Sequence, residues 1–319
     1  MERFNVHSSN VDISVYSNLD YEISKSLQQQ FLNYLQIVKL NYKTDYTVCL
    51  LKEKFGIDFD KQLNGYDIFI SRNNRRIYTV IKKDDLQNNI IYIKRLIESL
   101  RNRILESKGA IFFHGASISI DDKAAIFLGN KNSGKTTTIL NFLASGQAEY
   151  MSNDRVALLK EDGVIKVIGS PTNIGLRATT LEANNKLKGL IYNKINRKMQ
   201  LDAESRIVLS VKQLRESLKI EEKSEAKLGW IFYIERAKDG ITAIKQLSYN
   251  ELIEKLKEQR INGVFEKNII LNDCIDVKNN TIENIIPENV KAYYFSQDGN
   301  CNQIFRKIFN QDLERGEID

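Results

Sequence analysis

The chain has 319 residues, 42% of them hydrophobic and 28% charged, and its 47 Lys and Arg against 41 Asp and Glu give a formal charge of +6. That length allows two domains or one core with appendages, and the mild positive excess suits an acidic ligand while falling short of a nucleic-acid signature. No apolar run approaches the roughly 20 residues of a membrane span, the polar opening MERFNVHSSN lacks a signal-peptide core, and Cys49, Cys274 and Cys301 are too scattered for a zinc or disulfide framework, so a cytoplasmic protein with no membrane partner is expected.

Residues 1–85 read as a small α+β module. Val11, Ile13 and Val15 alternate with polar residues as a half-buried strand does, and Leu27, Phe31, Leu32, Leu35 and Val38 trace one face of a helix. Tyr66 to Ser71 and Arg76 to Ile81 flank SRNNRR, a hairpin in which Asn73 and Asn74 tolerate the left-handed conformation of the turn. No cluster here suggests chemistry. Residues 86–109 follow as a connecting amphipathic helix, with Ile90, Ile93, Ile97, Leu100 and Ile104 on one side and Gly109 closing it.

From 110 to 319 the pattern is that of a nucleotide-binding domain. Two apolar stretches, Ala110 to Phe113 and Ala116 to Ile120, are separated by His114 and Gly115. A third, Ala124 to Leu128, leads into GNKNSGKT at Gly129 to Thr136, which fills every fixed position of the phosphate-binding pattern GxxxxGKT. Thr137 to Ser145 has helical spacing, with Gly146 at the position of a C′ glycine. Gly129 and Gly134 let the backbone curl so that the amides of Asn130, Lys131, Asn132, Ser133 and Thr137 help form an anion cradle at the positive end of that helix. The expected guest is a nucleoside triphosphate, ATP in the case of a kinase. Lys135 would reach its β and γ phosphates, and the Thr136 hydroxyl would ligate the accompanying Mg²⁺.

Further along, AEYMSNDRVALL supplies a strand ending in Asn153 and Asp154 and a second strand that turns at Glu161 to Gly163 into Val164 to Ile168. Strands therefore cluster on both sides of one helix, which implies an α/β core of mixed sheet and helices rather than a regular doubly wound one. Leu181 to Gln200 is rich in Lys and Asn, as either a solvated segment or a lid would be. Leu228 to Ile234 reads as a central strand, and Ser248 with Glu251 forms a capping box at the start of a helix. The chain beyond about residue 260 reads as mixed helix and short strand without a motif.

The cradle alone does not name a reaction. The signature LSGGQ of transport ATPases is absent, and the NKLK and NKIN runs lack the Asp of a guanine-recognising NKxD. Asp154, nineteen positions beyond Lys135 on a strand expected beside the phosphate-loop strand, would hold Mg²⁺ or take a proton from an attacking hydroxyl. Taken together, FHGASISI, FLGNKNSGKT, Gly146 and SNDRVALL resemble the HPr serine kinase/phosphorylase family, whose fold is similar to the phosphoenolpyruvate carboxykinase core. The resemblance spans about Ala110 to Ile168. It implies that Asp154 is the base and His114 the histidine in contact with it, with Asn153 where the family has the first of two aspartates, still able to ligate metal through its carbonyl oxygen. It also implies a hydroxyl-bearing protein, peptide or small-molecule acceptor, and homo-oligomeric assembly through the C-terminal half. Arg155 and Arg177 are candidate additional cations. The competing readings are a nucleotide-binding switch without transferase activity and nucleic-acid binding through residues 186–198.

Overall fold

The computed structural model describes residues 2–8, 11–19, 36–38, 44–54, 56–57, 61–63, 65–82, 85–177, 188–189, 206–237, 243–261, 275–297 and 308–309. Of the helix expected from Leu27 to Val38, the part up to Leu35 lies outside these residues and Val38 is instead in a strand, Gln36–Val38, paired with the first strand of the chain; nearly all of the Lys-rich stretch Leu181 to Gln200 also lies outside them. Two compact units form: Met1–Ile111 with Ile261–Thr281, and Phe112–Arg260 with Ile282–Asp319. The long helix thus belongs to the first unit instead of standing between two, and part of the C-terminal third returns to that unit.

In the first unit, β1 (Glu2–Ser8), β2 (Val11–Ser17), β3 (Gln36–Val38), β4 (Tyr46–Leu51), β5 (Lys61–Leu63), β6 (Tyr66–Ser71) and β7 (Arg76–Val80) form one sheet in the order β3-β1-β2-β4-β7-β6-β5. The β6–β7 hairpin joins Ser71 to Arg76, but its left-handed residue is Arg75, φ 49°, and not Asn73 or Asn74. The turn spends its asparagines differently: the Asn74 amide donates to the Ser71 hydroxyl at 3.1 Å. Helix α1 (Leu86–Lys108) starts on Asp85, whose side chain accepts from the Asn88 amide, and ends on left-handed Gly109. Its Ile90, Ile93, Ile97, Leu100 and Ile104 are all buried, and Tyr92 stacks on Tyr66 with ring centroids 3.9 Å apart. The Asn280 amide donates to the Gly109 carbonyl at 2.8 Å, satisfying an acceptor at the helix end.

The second unit is built on an eight-stranded mixed sheet. Its strands are β8 (Ile111–Ile120), β9 (Lys123–Leu128), β10 (Glu149–Ser152), β11 (Arg155–Glu161), β12 (Val164–Ile168), β15 (Glu225–Arg236), β16 (Ala243–Gln246) and β17 (Lys291–Gln297). The two apolar stretches around His114 are one continuous strand, because Gly115 lets β8 run close to β9 where a Cβ would come within 2.9 Å of Leu128. Hydrogen bonding runs β8-β11-β12-β15-β9 and back to β8, a closed circuit. A separate ribbon pairs β13 (Ile174–Arg177) with β14 (Arg206–Leu209).

Strand β15 is parallel to both β9 and β17 and is buried on both faces from Trp230 to Ile234, which explains its unbroken apolar sequence. Trp230, Phe232 and Ile234 join one core with Phe127 and with Ile139, Leu140, Phe142 and Leu143 of α2 (Lys135–Ala144). Helix α3 (Val211–Leu218) adds Val211, Leu214 and Leu218 to that core. Toward the other face, Tyr233 donates to Glu258 of α4 (Tyr249–Gln259) at 3.0 Å, under the Lys255 ammonium. Helix α4 packs on the short α5 (Ile282–Ile285). No helix among the described residues is long and apolar enough to cross a membrane.

Candidate functional site

The site lies where β9 passes through a glycine loop into α2. Gly129 has φ 138° and Gly134 φ 100°, with non-glycine Asn132 between them at φ 69°. Gly129 is doubly constrained, since a Cβ there would sit 2.2 Å from the Ile234 carbonyl oxygen of β15. The loop is therefore pressed against the carboxyl end of the neighbouring parallel strand.

Gly134 is the N-cap of α2 and offers no side chain, and the first turn of the helix contains no acid. The uncapped amides leave the positive end of the helix uncompensated. Lys135 is the first residue of that turn and is 8% exposed, a cation set against the dipole and away from water. Its ammonium donates to the carbonyls of Gly129 at 2.6 Å and Asn130 at 3.0 Å. Burial lowers its pKa, and the nearby Asp154 carboxylate opposes that shift. Buried lysine, uncapped helix end and paired glycines are thus brought together at one loop.

Two further segments close on the loop. The Thr136 hydroxyl donates to the Asn153 side-chain oxygen at 2.9 Å, linking the start of α2 to the β10–β11 turn. In that turn the Ser152 hydroxyl donates to the Arg155 carbonyl, and the Asp154 carbonyl accepts from the Gly115 amide at 3.2 Å. His114 Nδ1 lies 3.3 Å from Asp154 Oδ1, both side chains being substantially exposed. Residues from three separate stretches, His114, Lys135 with Thr136, and Asn153 with Asp154, thus meet at one place.

Strand β10, which ends at that turn, does not lie beside the phosphate-loop strand as expected. It pairs with β8, which pairs in turn with β9. Beyond the end of β10 at Ser152 the chain stays on β8 through the bond from the Gly115 amide to the Asp154 carbonyl, which keeps Asp154 beside His114. Asn130, Lys131 and Asn132 are exposed on the loop, Ser133 is buried beneath it, and Thr137 is half-buried on the first turn of α2. Arg155 is half-buried next to the site; Arg177 is exposed in the β13–β14 ribbon, where no described contact ties it to the loop.

The oxygens present fit a small hard cation held together with phosphates. Thr136 and Asn153 offer two neutral oxygen donors within hydrogen-bond distance of each other, and Asp154 adds a carboxylate next in sequence. No cluster of three or more His, Cys, Asp or Glu occurs among the described residues, so any ion here would draw further ligands from the phosphates or water.

No family model and no curated protein matches the chain. Among solved structures it is similar to the Hpr(Ser) kinase/phosphatase from Coxiella burnetii, with 10% identity over 64% of this chain and 98% of that one. The TM-score is 0.34, and a likeness this loose carries no weight in assigning an activity.

Proposed function

We propose that the second unit binds ATP with Mg²⁺ and transfers the γ-phosphoryl group to a hydroxyl of a protein, peptide or small-molecule acceptor. The observation that supports it best is the junction of Thr136 with Asn153 and of Asp154 with His114, which sets a carboxylate beside a lysine-bearing phosphate loop. In this reading the loop amides and Lys135 hold the phosphates and stabilise charge on them, releasing the lysine from its two loop carbonyls. Thr136, Asn153 and Asp154 would hold Mg²⁺, which when bound supplies charge neutralisation of the phosphate oxygens.

Asp154 Oδ1, steadied by His114, accepts the acceptor's hydroxyl proton as the oxygen–phosphorus bond forms and the bond to the ADP leaving oxygen breaks. The products are a phosphate monoester, ADP and a proton that leaves through the exposed Asp154–His114 pair. Positioning and electrostatics supply most of the rate.

The test is phosphoryl transfer from γ-labelled ATP and Mg²⁺ in lysate. Labelled acceptor is expected with the wild type, falling by about 10²–10⁴-fold in Asp154→Asn and disappearing in Lys135→Ala. One observation favours a second reading, a nucleotide-operated switch: Asn153 brings no charge and its oxygen is already engaged by Thr136. Tight Mg–ATP binding with no acceptor labelled, and no difference between wild type and Asp154→Asn, would establish the switch in place of the kinase.

A further inference from the structure

The first unit contains a pocket of about 370 Å³ that the loop site does not use. Its apolar floor includes Ile104, and around it stand Arg72 and Arg75 from the β6–β7 turn, Lys108 at the end of α1, Asp45 ahead of β4, and Asp276. Asp45 is already committed: Oδ2 accepts from the Asp12 amide at 2.8 Å, and Oδ1 lies 3.5 Å from the Lys108 ammonium. Lys108 is neutralised by the same contact. Arg72 and Arg75 have no acidic partner among the described residues, and Asp276 forms an ion pair with neither.

Arg75 is also held against its backbone preference. At φ 49° a non-glycine residue carries a strain on the order of 1 kcal/mol, which glycine would not. The turn is fixed nonetheless, through the Arg75 amide on the Arg72 carbonyl at 3.1 Å and the Arg75 carbonyl on the Thr47 amide at 2.9 Å. Two arginines without an acidic partner among the described residues thus line one cavity from a hydrogen-bonded turn.

We propose that this pocket binds a small molecule bearing a phosphate or carboxylate group, gripped by Arg72 and Arg75. Their forked donors match either oxyanion two bonds at a time. Asp276 is available to a hydroxyl or amine elsewhere on the same ligand. The volume falls in the range of small-molecule sites, roughly 300–1,000 Å³, and limits the occupant to one.

The proposal is tested by calorimetric titration of the full chain with glycerol 2-phosphate and with succinate, which separates the phosphate and carboxylate sources. Saturable one-to-one binding of at least one of them is expected, equal in wild type and Lys135→Ala, so the result does not depend on the loop site. Arg72→Gln and Arg75→Gly should each weaken it ten-fold or more, while Arg75→Gly, relieved of its strained φ, unfolds at a temperature no lower than the wild type. Absence of saturable binding by both compounds, loss of binding in Lys135→Ala, or binding that survives both arginine substitutions overturns the proposal.

Discussion

Replacing Gly129 with alanine puts the packing of the glycine loop to a quantitative test. The new Cβ would lie 2.2 Å from the Ile234 carbonyl oxygen and 2.9 Å from the Ser133 hydroxyl, at a φ of 138°. The carbonyl belongs to a strand whose Phe232 and Ile234 are fully buried, so it has nowhere to move. Backbone strain of about 1–3 kcal/mol and overpacking of about 1–3 kcal/mol together predict a loss on the order of 2–6 kcal/mol. Gly163, in the β11–β12 turn, provides the internal control, having φ 81° but nothing within 4 Å of an added Cβ. Gly163→Ala should cost about 1 kcal/mol from the left-handed backbone alone. Urea denaturation monitored by tryptophan fluorescence reads both, through Trp230 in the core of the same unit. At roughly 2–4 °C per kcal/mol for a unit of this size, the two variants should also melt at clearly different temperatures. If Gly129→Ala proves no less stable than Gly163→Ala, the loop is not packed on β15 and the site geometry fails with it.

Because burial lowers the Lys135 pKa, its ammonium loses its proton at lower pH than a surface lysine, and affinity for ATP should fall correspondingly early on the alkaline side. A titration of affinity against pH in Lys135→Arg, whose side chain stays charged, should lack that early fall; identical profiles would rule out Lys135 as the phosphate contact. At the start of α4, Lys245 and Ser248 hold the Glu251 pKa down from 4.5 to about 2. A depressed carboxylate pKa stabilises the fold above the unfolded value and loses that effect as pH falls toward the folded one, so the stability gap between wild type and Glu251→Gln should close between those pH values. A gap independent of pH would show that the charge does no capping. Phe232 stacks on Phe127 and Tyr293 at centroid distances of 5.4 and 5.5 Å, and Phe232→Ala should cost about 3–5 kcal/mol in chemical denaturation; a loss below 1 kcal/mol would contradict a close-packed core.

The elements that depend on local physics were legible in the sequence. Glycines at 129 and 134, the apolar run before them and the helical spacing after them specify a strand, a glycine loop and a helix from neighbouring residues alone. The same holds for the α1 stripe, the Asp162–Gly163 hairpin and the Ser248–Glu251 cap, each decided within a few residues. Sequence also singled out His114, Asn153 and Asp154, and the family resemblance paired His114 with Asp154; the bond from Thr136 to Asn153 was not foreseen.

What pairs with what was decided by the tertiary structure. That β8 intervenes between β9 and β10, that Asn153 turns its oxygen to Thr136, and that the end of β15 seals Gly129 all depend on partners distant in sequence. The left-handed residue of the β6–β7 turn is a similar case: asparagine propensity pointed to Asn73 and Asn74, but the register of Ser71 on Arg76 and the Thr47 contact place the strain on Arg75. Local preference is worth about 1 kcal/mol at such a position, and a sheet whose hydrogen bonds and buried face fix its register outweighs it.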